Sequence, residues 1–173
     1  MTVANSSTSS PTKPGFRVGV GHDLHPLASG RPLVLGGVTI PYPRGLDGHS
    51  DGDVLAHAVA DALIGAAGRG DIGTWFPDTD ERFRGADSLL LLAQVASALA
   101  DDGWRVGNVD ASIVAQRPRL GPHLHQMREN LARALSVEPE SVNVKATSPE
   151  YVGSLGREDA IAAFATALIE RGR

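Results

Sequence analysis

The chain contains no cysteine, which removes both disulfide bonds and the thiolate ligands of most structural zinc sites. It has no surplus of positive charge either, because 16 Lys and Arg stand against 20 Asp and Glu, for a formal net charge of −4. Binding to nucleic acid would require a basic stripe. No apolar run approaches the ~20 residues that span a membrane. We therefore expect a globular protein with neither a nucleic-acid nor a membrane partner.

The N-terminal segment is rich in Ser, Thr, Pro and Asn and poor in large apolar side chains. Such a composition cannot bury enough apolar surface to fold, and it lacks the hydrophobic core of a secretory signal. We predict a disordered tail over residues 1–15, a single domain over residues 16–173 and a cytoplasmic location.

Three side chains that commonly bind metals lie close together in the sequence, namely Asp23, His25 and His57. Asp23 and His25 follow a short alternating run, and residues two apart on a strand face the same side, so both can reach one ion. His57 lies in an Ala- and Leu-rich helical segment, for which we predict Ser50 as the N-cap and Asp53 as its capping-box partner. Two imidazoles and one carboxylate are typical of a catalytic zinc site with an open fourth position. The alternative is a buried His57 that is hydrogen-bonded within the core.

The rest of the chain alternates between strand and helix patterns. Gly36 and Gly37 predict a hairpin turn. We predict strands at residues 17–20, 104–115 and 141–146, helices at residues 53–64, 87–101 and 122–135, and loops at residues 44–48 and 70–80. Residues 160–169 fit a helix by the spacing of their large apolar side chains, and they also fit a buried strand.

Short motifs follow one another in a specific order along the chain. They are Asp23-Leu24-His25, His49-Ser50-Asp51-Gly52-Asp53 with His57 downstream, Gly70-Asp71-Ile72-Gly73, Phe76-Pro77-Asp78-Thr79-Asp80, Gly107-Asn108-Val109-Asp110 and Asn143-Val144-Lys145-Ala146-Thr147. This ordered series, from about residue 17 to the C-terminus, closely resembles the 2-C-methyl-D-erythritol 2,4-cyclodiphosphate synthase family. Each motif alone is weak, but the series is specific.

The resemblance implies an α/β protein of the α+β type. It would be a single domain with a mixed β-sheet flanked by helices on one face, with the C-terminal segment as a strand. It would assemble as a homotrimer with active sites at subunit interfaces. The implied enzyme is a metal-dependent phosphorus–oxygen lyase of non-mevalonate isoprenoid biosynthesis. It would convert 4-diphosphocytidyl-2-C-methyl-D-erythritol 2-phosphate into the 2,4-cyclodiphosphate and CMP, by attack of the 2-phosphate on the β-phosphate.

The resemblance also implies the site. Zinc, or another divalent transition metal, would be bound by Asp23, His25 and His57, and magnesium or manganese would bridge the substrate diphosphate with Glu150 nearby. His49 and Ser148 match transition-state stabilisers. The positions that match substrate contacts are Asp23, Leu24, His25, His49, Ser50, Asp71, Ile72, Gly73, Phe76, Pro77, Asp78, Thr79, Asp80, Ala115, Gln116, Arg117, Pro118, Arg119, Leu120, Gly121, Thr147, Ser148, Pro149, Glu150, Ser154 and Arg157.

Two positions depart from the family pattern. Pro149 removes an N–H donor from a polar patch, and Ser154 stands where an aromatic residue is common. Arg157 matches an arginine that binds an isoprenoid diphosphate in some members, and a solvated or ion-paired arginine is the alternative. Two other functions remain open: a phosphohydrolase that uses the same zinc to activate water, and a non-catalytic, metal-stabilised trimer that binds diphosphates or nucleotides.

Overall fold

The structure is a computed structural model that describes residues 15–172. Its strands are β1 (Phe16–Ser29), β2 (Leu33–Leu35), β3 (Val38–Ile40), β4 (Arg44–Leu46), β5 (Trp104–Val114), β6 (Val142–Thr147) and β7 (Ala160–Arg171). Its helices are α1 (Val54–Ala67), α2 (Ile72–Trp75), α3 (Ser88–Asp101), α4 (Leu124–Leu135) and α5 (Gly153–Gly156). Apart from Gly15, the tail predicted for residues 1–15 lies outside the described residues. Among the residues described, no helix has the length and apolar character needed to cross a membrane.

The framework is a mixed sheet of five strands in the order β4–β1–β7–β5–β6. β7 pairs antiparallel with β1 on one side and with β5 on the other, while β5 and β6 run parallel. α1 packs against β1 and β7, α3 packs against α1 and β5, and α4 packs against α3 and β6. The predicted α/β domain with a mixed sheet and flanking helices is confirmed.

The C-terminal segment is a strand, as the resemblance implied. β7 is rich in alanine, which favours a helix by local propensity, but its backbone has strand partners on both sides. Ala163, Ala165 and Ala167 are buried, whereas Phe164 is 47% exposed on the opposite face. Long-range pairing therefore overrides the helical spacing of its apolar side chains.

Glycine at alternate positions of β1 allows α1 to approach the strand closely. A Cβ on Gly19 would lie 2.0 Å from the carbonyl oxygen of Ala62, and one on Gly21 would lie 2.0 Å from that of Ala58. Both distances are far inside van der Waals contact, so larger side chains would push the helix away. This close contact sets the first turn of α1, which carries His57, over the middle of β1.

Asp53, rather than the predicted Ser50, caps α1. Its Oδ1 accepts hydrogen bonds from two backbone N–H groups of the first turn, both at 3.1 Å, and its Oδ2 accepts from Gly37 N–H at 2.8 Å. Gly36 and Gly37 have φ of 55° and 67° and form the turn between β2 and β3, as predicted. The fully buried Asp53 carboxylate therefore joins this hairpin to the start of α1.

Three local elements differ from the sequence predictions. β1 continues far beyond residue 20 because it pairs with β7 along most of its length. The predicted loop at residues 44–48 contains β4, which pairs with the end of β1. The predicted loop at residues 70–80 contains the one-turn helix α2, whose N-cap Asp71 accepts a hydrogen bond from Thr74 N–H at 2.7 Å.

Within residues 15–172, no layer covers one face of the sheet. Val18 and Val20 of β1 are 61% and 72% exposed, and Leu24 and Phe164 are 44% and 47% exposed. These side chains lie on the face opposite to the helices. A contiguous exposed apolar surface of this kind marks an interaction site.

Candidate active site

Asp23, His25 and His57 converge where β1 meets the first turn of α1. Asp23 Oδ2 lies 2.8 Å from His57 Nδ1 and 3.3 Å from His25 Nε2, and the two nitrogens lie 3.3 Å apart. Each residue offers a ligand atom within 4.8 Å of the other two. The structure thus brings together the three side chains that the sequence singled out.

The spacing of these atoms fits a bound cation. In a tetrahedral site with bonds of ~2.0–2.1 Å, neighbouring ligand atoms are about 3.3 Å apart. Gly48 keeps the cluster accessible, since a Cβ there would lie 3.0 Å from His25 Nε2. Two imidazoles and one carboxylate suit a divalent transition metal. If His57 were only a hydrogen-bonded core residue, it would not need both the His25 imidazole and the Asp23 carboxylate facing its Nδ1 atom.

The three groups shift one another's pKa. Burial lowers the pKa of His25, and the attraction of Asp23 does not fully offset it, which favours the neutral ring. Burial also disfavours a charged His57, but the hydrogen bond and charge of Asp23 outweigh it and raise the pKa of His57. Burial would raise the pKa of Asp23, yet the hydrogen bond from His57 and the histidine charges hold it below its ordinary value. A cation must therefore displace a proton from His57.

The other edge of the His57 ring meets hydroxyl groups. Its Nε2 lies 2.9 Å from Ser88 Oγ and 3.0 Å from Ser50 Oγ. Ser88 donates its hydroxyl proton to Asp51 Oδ1 and its backbone N–H to Asp51 Oδ2. Sequence reasoning missed Ser88, because it lies 31 residues from His57 and begins a leucine-rich helix with no metal-ligand pattern of its own.

A cavity of about 520 Å³ opens in front of the cluster, and we call it the first cavity. Its lining residues are Asp23, His25, Gly48, His49, Ser50, His57, Ile72, Gly73, Phe76, Pro77, Asp78, Phe83 and Leu91. His49 Nε2 lies 3.1 Å from the carbonyl oxygen of Asp80, which leaves His49 Nδ1 for another partner. Gly48, Phe83 and Leu91 were not predicted, since no chemical motif marks them.

Other predicted residues do not line the first cavity, namely Leu24, Asp71, Thr79 and Asp80. Leu24 faces the opposite side of the sheet because successive strand residues alternate. Asp71 caps α2, and Asp80 forms an ion pair with Arg82 at 2.6 Å. Asp61 of α1 accepts a hydrogen bond from Ile72 N–H at 3.1 Å, which ties this loop to the helix that carries His57.

A second cavity, of about 640 Å³, opens at the C-terminal ends of β5 and β6. Its lining residues are Ala115, Gln116, Arg117, Pro118, Arg119, Leu120, Gly121, Pro122, Ala146, Thr147, Ser148, Glu150 and Tyr151. Ser148 donates its hydroxyl proton to Glu150, and Gln116 Oε1 accepts from Tyr151 N–H at 2.9 Å. Tyr151, which is 72% exposed, was not predicted.

The remaining predicted residues, Pro149, Ser154 and Arg157, line neither cavity. Pro149 accepts a hydrogen bond from Val152 N–H through its carbonyl oxygen at 3.0 Å. Arg157 forms an ion pair with Asp159 at 3.0 Å. In the single chain, the ion-paired alternative for Arg157 thus matches its observed contact.

The two cavities lie apart within one chain. Asp23 pairs with Ala163 of β7, and Ala163 pairs with Ile113 of β5. Ile113 in turn pairs with Ala146 of β6, which lines the second cavity. Asp23 and the second cavity are therefore separated by three strand spacings, about 14 Å at ~4.8 Å each.

Fold and site together define an α/β protein in which an aspartate and two histidines lie at metal-ligand spacing beside a substrate-sized cavity. The model of the YgbB family matches residues 16–170. The chain belongs to the YgbB family. A curated relative from Geotalea uraniireducens (strain Rf4), 2-C-methyl-D-erythritol 2,4-cyclodiphosphate synthase, is 56% identical over 156 residues, which cover 90% of this chain and 99% of the relative. The resemblance seen in the motifs is confirmed.

Solved structures share the fold. The bifunctional IspDF from Campylobacter jejuni has a TM-score of 0.87 at 40% identity; the match covers 90% of this chain and 42% of that chain. IspF from Plasmodium falciparum, in complex with CDP, has a TM-score of 0.82 at 30% identity, over 94% of this chain and 100% of that chain. A protein with this fold therefore binds a cytidine nucleotide.

Proposed function

We propose that this chain converts 4-diphosphocytidyl-2-C-methyl-D-erythritol 2-phosphate to 2-C-methyl-D-erythritol 2,4-cyclodiphosphate with release of CMP. The observation that carries the proposal is the convergence of Asp23, His25 and His57 in front of the first cavity, in a member of the YgbB family. The active unit would be the domain over residues 16–173.

Asp23, His25 and His57 would hold zinc or another divalent transition metal, and magnesium or manganese would bind near Glu150. When bound, such ions polarise phosphate oxygens and neutralise the charge that develops on the departing CMP. The fit of the first site rests on its atom spacing and donor set.

The reaction needs no nucleophile from the protein. An oxygen of the 2-phosphate forms a bond to the β-phosphorus, while the bond from that phosphorus to the oxygen bridging the α- and β-phosphates breaks. The electron pair of the broken bond leaves with CMP, and no water is consumed. The residues of the chain therefore have to hold two mutually repelling phosphates of one molecule together and exclude water.

We assign the methylerythritol phosphate end of the substrate to the first cavity, with Ile72, Gly73 and residues 76–80 beside it. The cytidine diphosphate portion would occupy the second cavity, against residues 115–121 and 147–150. His49 and Ser148 would stabilise the transition-state charge, because each offers a hydrogen-bonding group in the lining of one cavity.

We further propose a homotrimer in which the first cavity of one copy meets the second cavity of a neighbour. One substrate has to engage both cavities, which lie about 14 Å apart in a single chain. The uncovered sheet face, with Val18, Val20 and Phe164 exposed, offers an apolar surface for association. Light scattering should return three times the 18.1 kDa of the chain. A monomer that turns over the substrate would contradict the shared site.

Incubation of the purified protein with substrate and magnesium tests the reaction. We expect CMP and a product whose mass equals that of the substrate less CMP, with no inorganic phosphate. A phosphohydrolase would add the mass of water to its products, so a mass spectrum separates the two reactions. Elemental analysis of the same preparation reports whether a transition metal occupies the site.

A further inference from the structure

A chain of hydrogen bonds runs from His57 away from the first cavity. His57 Nε2 lies 2.9 Å from Ser88 Oγ, and the Ser88 hydroxyl continues to Asp51 Oδ1. Asp51 and Ser88 are held together by the backbone as well, because Ser88 N–H donates to Asp51 Oδ2 at 3.1 Å and Asp51 N–H donates to the carbonyl oxygen of Ala86 at 3.0 Å. Ser88 is 1% exposed, so water has little access to this edge of the ring.

Asp51 determines the direction of these hydrogen bonds. Its carboxylate accepts the backbone N–H groups of Asp53 and Ser88, both at 3.1 Å, and a carboxylate has no proton to give. The Ser88 hydroxyl therefore donates to Asp51 and meets His57 as an acceptor. His57 Nε2 must then carry a proton. The proton that a cation displaces is therefore the one on Nδ1, which faces Asp23 and His25, and Nδ1 then offers its lone pair to the ion.

We propose that Ser88, backed by Asp51, is a positioning residue for the metal centre. It selects the tautomer and the ring orientation in which His57 presents Nδ1 to the cation. Outer contacts of this kind commonly change metal affinity about 10- to 100-fold. This role rests on the metal site of the proposed function, but it concerns binding of the ion rather than the reaction.

Because of Ser50, the effect of the Ser88 hydroxyl on metal binding can be measured without unfolding the protein. Ser50 Oγ lies 3.0 Å from His57 Nε2 and 3.1 Å from Ser88 Oγ, so it still offers the ring an acceptor when the Ser88 hydroxyl is removed. Ser88→Ala should consequently keep the fold and weaken metal binding near the lower end of the range, about tenfold.

Asp51→Asn tests the direction of the hydrogen bonds without changing the volume of the side chain. An amide has one acceptor atom where the carboxylate has two. If that oxygen accepts Ser88 N–H, the amide nitrogen donates to Ser88 Oγ, whose proton then turns towards His57 Nε2. That arrangement favours a proton on Nδ1, which cannot bind the ion. Either orientation of the amide loses one of the two backbone hydrogen bonds that Asp51 accepts, from Asp53 N–H or from Ser88 N–H, so we expect Asp51→Asn to weaken metal binding.

The experiment measures the dissociation constants of cobalt(II) and zinc for the metal-free full-length protein, together with the cobalt d–d absorption spectrum and thermal unfolding. Ser97→Ala is the matched control, because Ser97 lies on the same helix, nine residues or about 13.5 Å from Ser88, and is exposed. We expect about tenfold weaker cobalt binding and an altered spectrum for Ser88→Ala, and wild-type behaviour for Ser97→Ala. Ser88→Thr, which restores a hydroxyl, should recover most of the affinity.

Three results would overturn the proposal. Wild-type cobalt affinity and spectra in both Ser88→Ala and Asp51→Asn would remove Ser88 from the metal centre and leave the proposed function intact. A folded Ser88→Thr as weak as Ser88→Ala would show that the hydroxyl is not the cause. A wild-type protein that binds neither cobalt nor zinc would contradict the metal site itself, and with it this role of Ser88.

Discussion

The lining of the first cavity contains one hydrogen-bonded cluster centred on His57, with Asp23, His25 and Ser50, whereas the second cavity is formed by two loops with exposed side chains. Beside the first cavity, Ser50 and Ser88 are 6% and 1% exposed, and the hydroxyl oxygen of each lies within hydrogen-bonding distance of His57 Nε2. At the second, Glu150 and Tyr151 are exposed and have φ of 52° and 61°. A preorganised set of ligands suits a metal ion, which tolerates little displacement, and an open surface would suit a nucleotide bound between subunits in the trimer that we propose.

Among substitutions at the two cavities, the largest effect should follow from removing a candidate metal ligand of the first cavity. His57→Ala should lose bound transition metal and lower CMP release by on the order of 10³-fold, because Lewis-acid stabilisation contributes several kcal/mol. The fold should persist, as followed by circular dichroism. His125→Ala, at an exposed histidine of α4, is the control and should keep full activity. Loss of folding along with metal in His57→Ala would instead support a metal-stabilised binding module.

A smaller effect is expected from displacing α1 from β1. Gly21→Ala would set a Cβ 2.0 Å from the Ala58 carbonyl oxygen and should lower the free energy of unfolding by about 1–3 kcal/mol. Metal affinity should fall with it, because α1 carries His57. Gly121→Ala is the matched substitution at the second cavity, where a Cβ meets nothing within 4 Å. Equal denaturation midpoints for the two variants would refute the close seating of the helix.

The pH dependence of metal binding should be determined only by the titratable groups at the first cavity. The pKa of His57 is raised above its ordinary 6.5, so below that raised pKa a cation must displace a proton. The pKa values of Asp23 and His25 are lowered, so neither adds a proton in the same range. Cobalt affinity should therefore rise with pH, by up to about tenfold per unit, and level off above the pKa of His57. A flat profile from about pH 6 to about pH 8 would contradict the coupling of His57 to the ion.

The mildest change should come from the second cavity. Gln116→Ala removes the side-chain oxygen that accepts Tyr151 N–H at 2.9 Å. Losing one exposed hydrogen bond of about 1 kcal/mol should weaken CDP binding roughly fivefold. Calorimetric titration with CDP measures the change. Cobalt affinity should stay at its wild-type value, and a fall in it would mean that the two cavities are coupled.

The sequence predicted the cluster of Asp23, His25 and His57 better than the architecture around it. Asp23, His25 and His57 were identifiable because their chemistry and strand spacing are local properties. Ser50 was given the wrong role, because a cap at Asp53 and a cap at Ser50 look alike until the path of the loop is known. Ser88 was invisible, since only the packing of α3 against α1 brings it to His57.

The strands show the same limit. The spacing of the apolar side chains in β7 leaves helix and strand open, because pairing on both sides decides its conformation. Residues 44–48 are predicted as a loop because β4 gains its partners only from the distant end of β1. The sequence predicts Gly19 simply as part of an alternating strand and gives Gly21 no role. Both positions require glycine because the backbone of Ala58 and Ala62, some forty residues away in the sequence, packs directly against them.

Through the buried Asp53 carboxylate, the Gly36–Gly37 turn can affect the candidate metal site, although the turn lines neither cavity. Because the same carboxylate anchors the turn and the start of α1, a distortion of the hairpin would be transmitted to the orientation of the His57 ring. A saturation screen for inactive clones should accordingly return substitutions at Gly37 together with those at the metal ligands, although this glycine lines neither cavity.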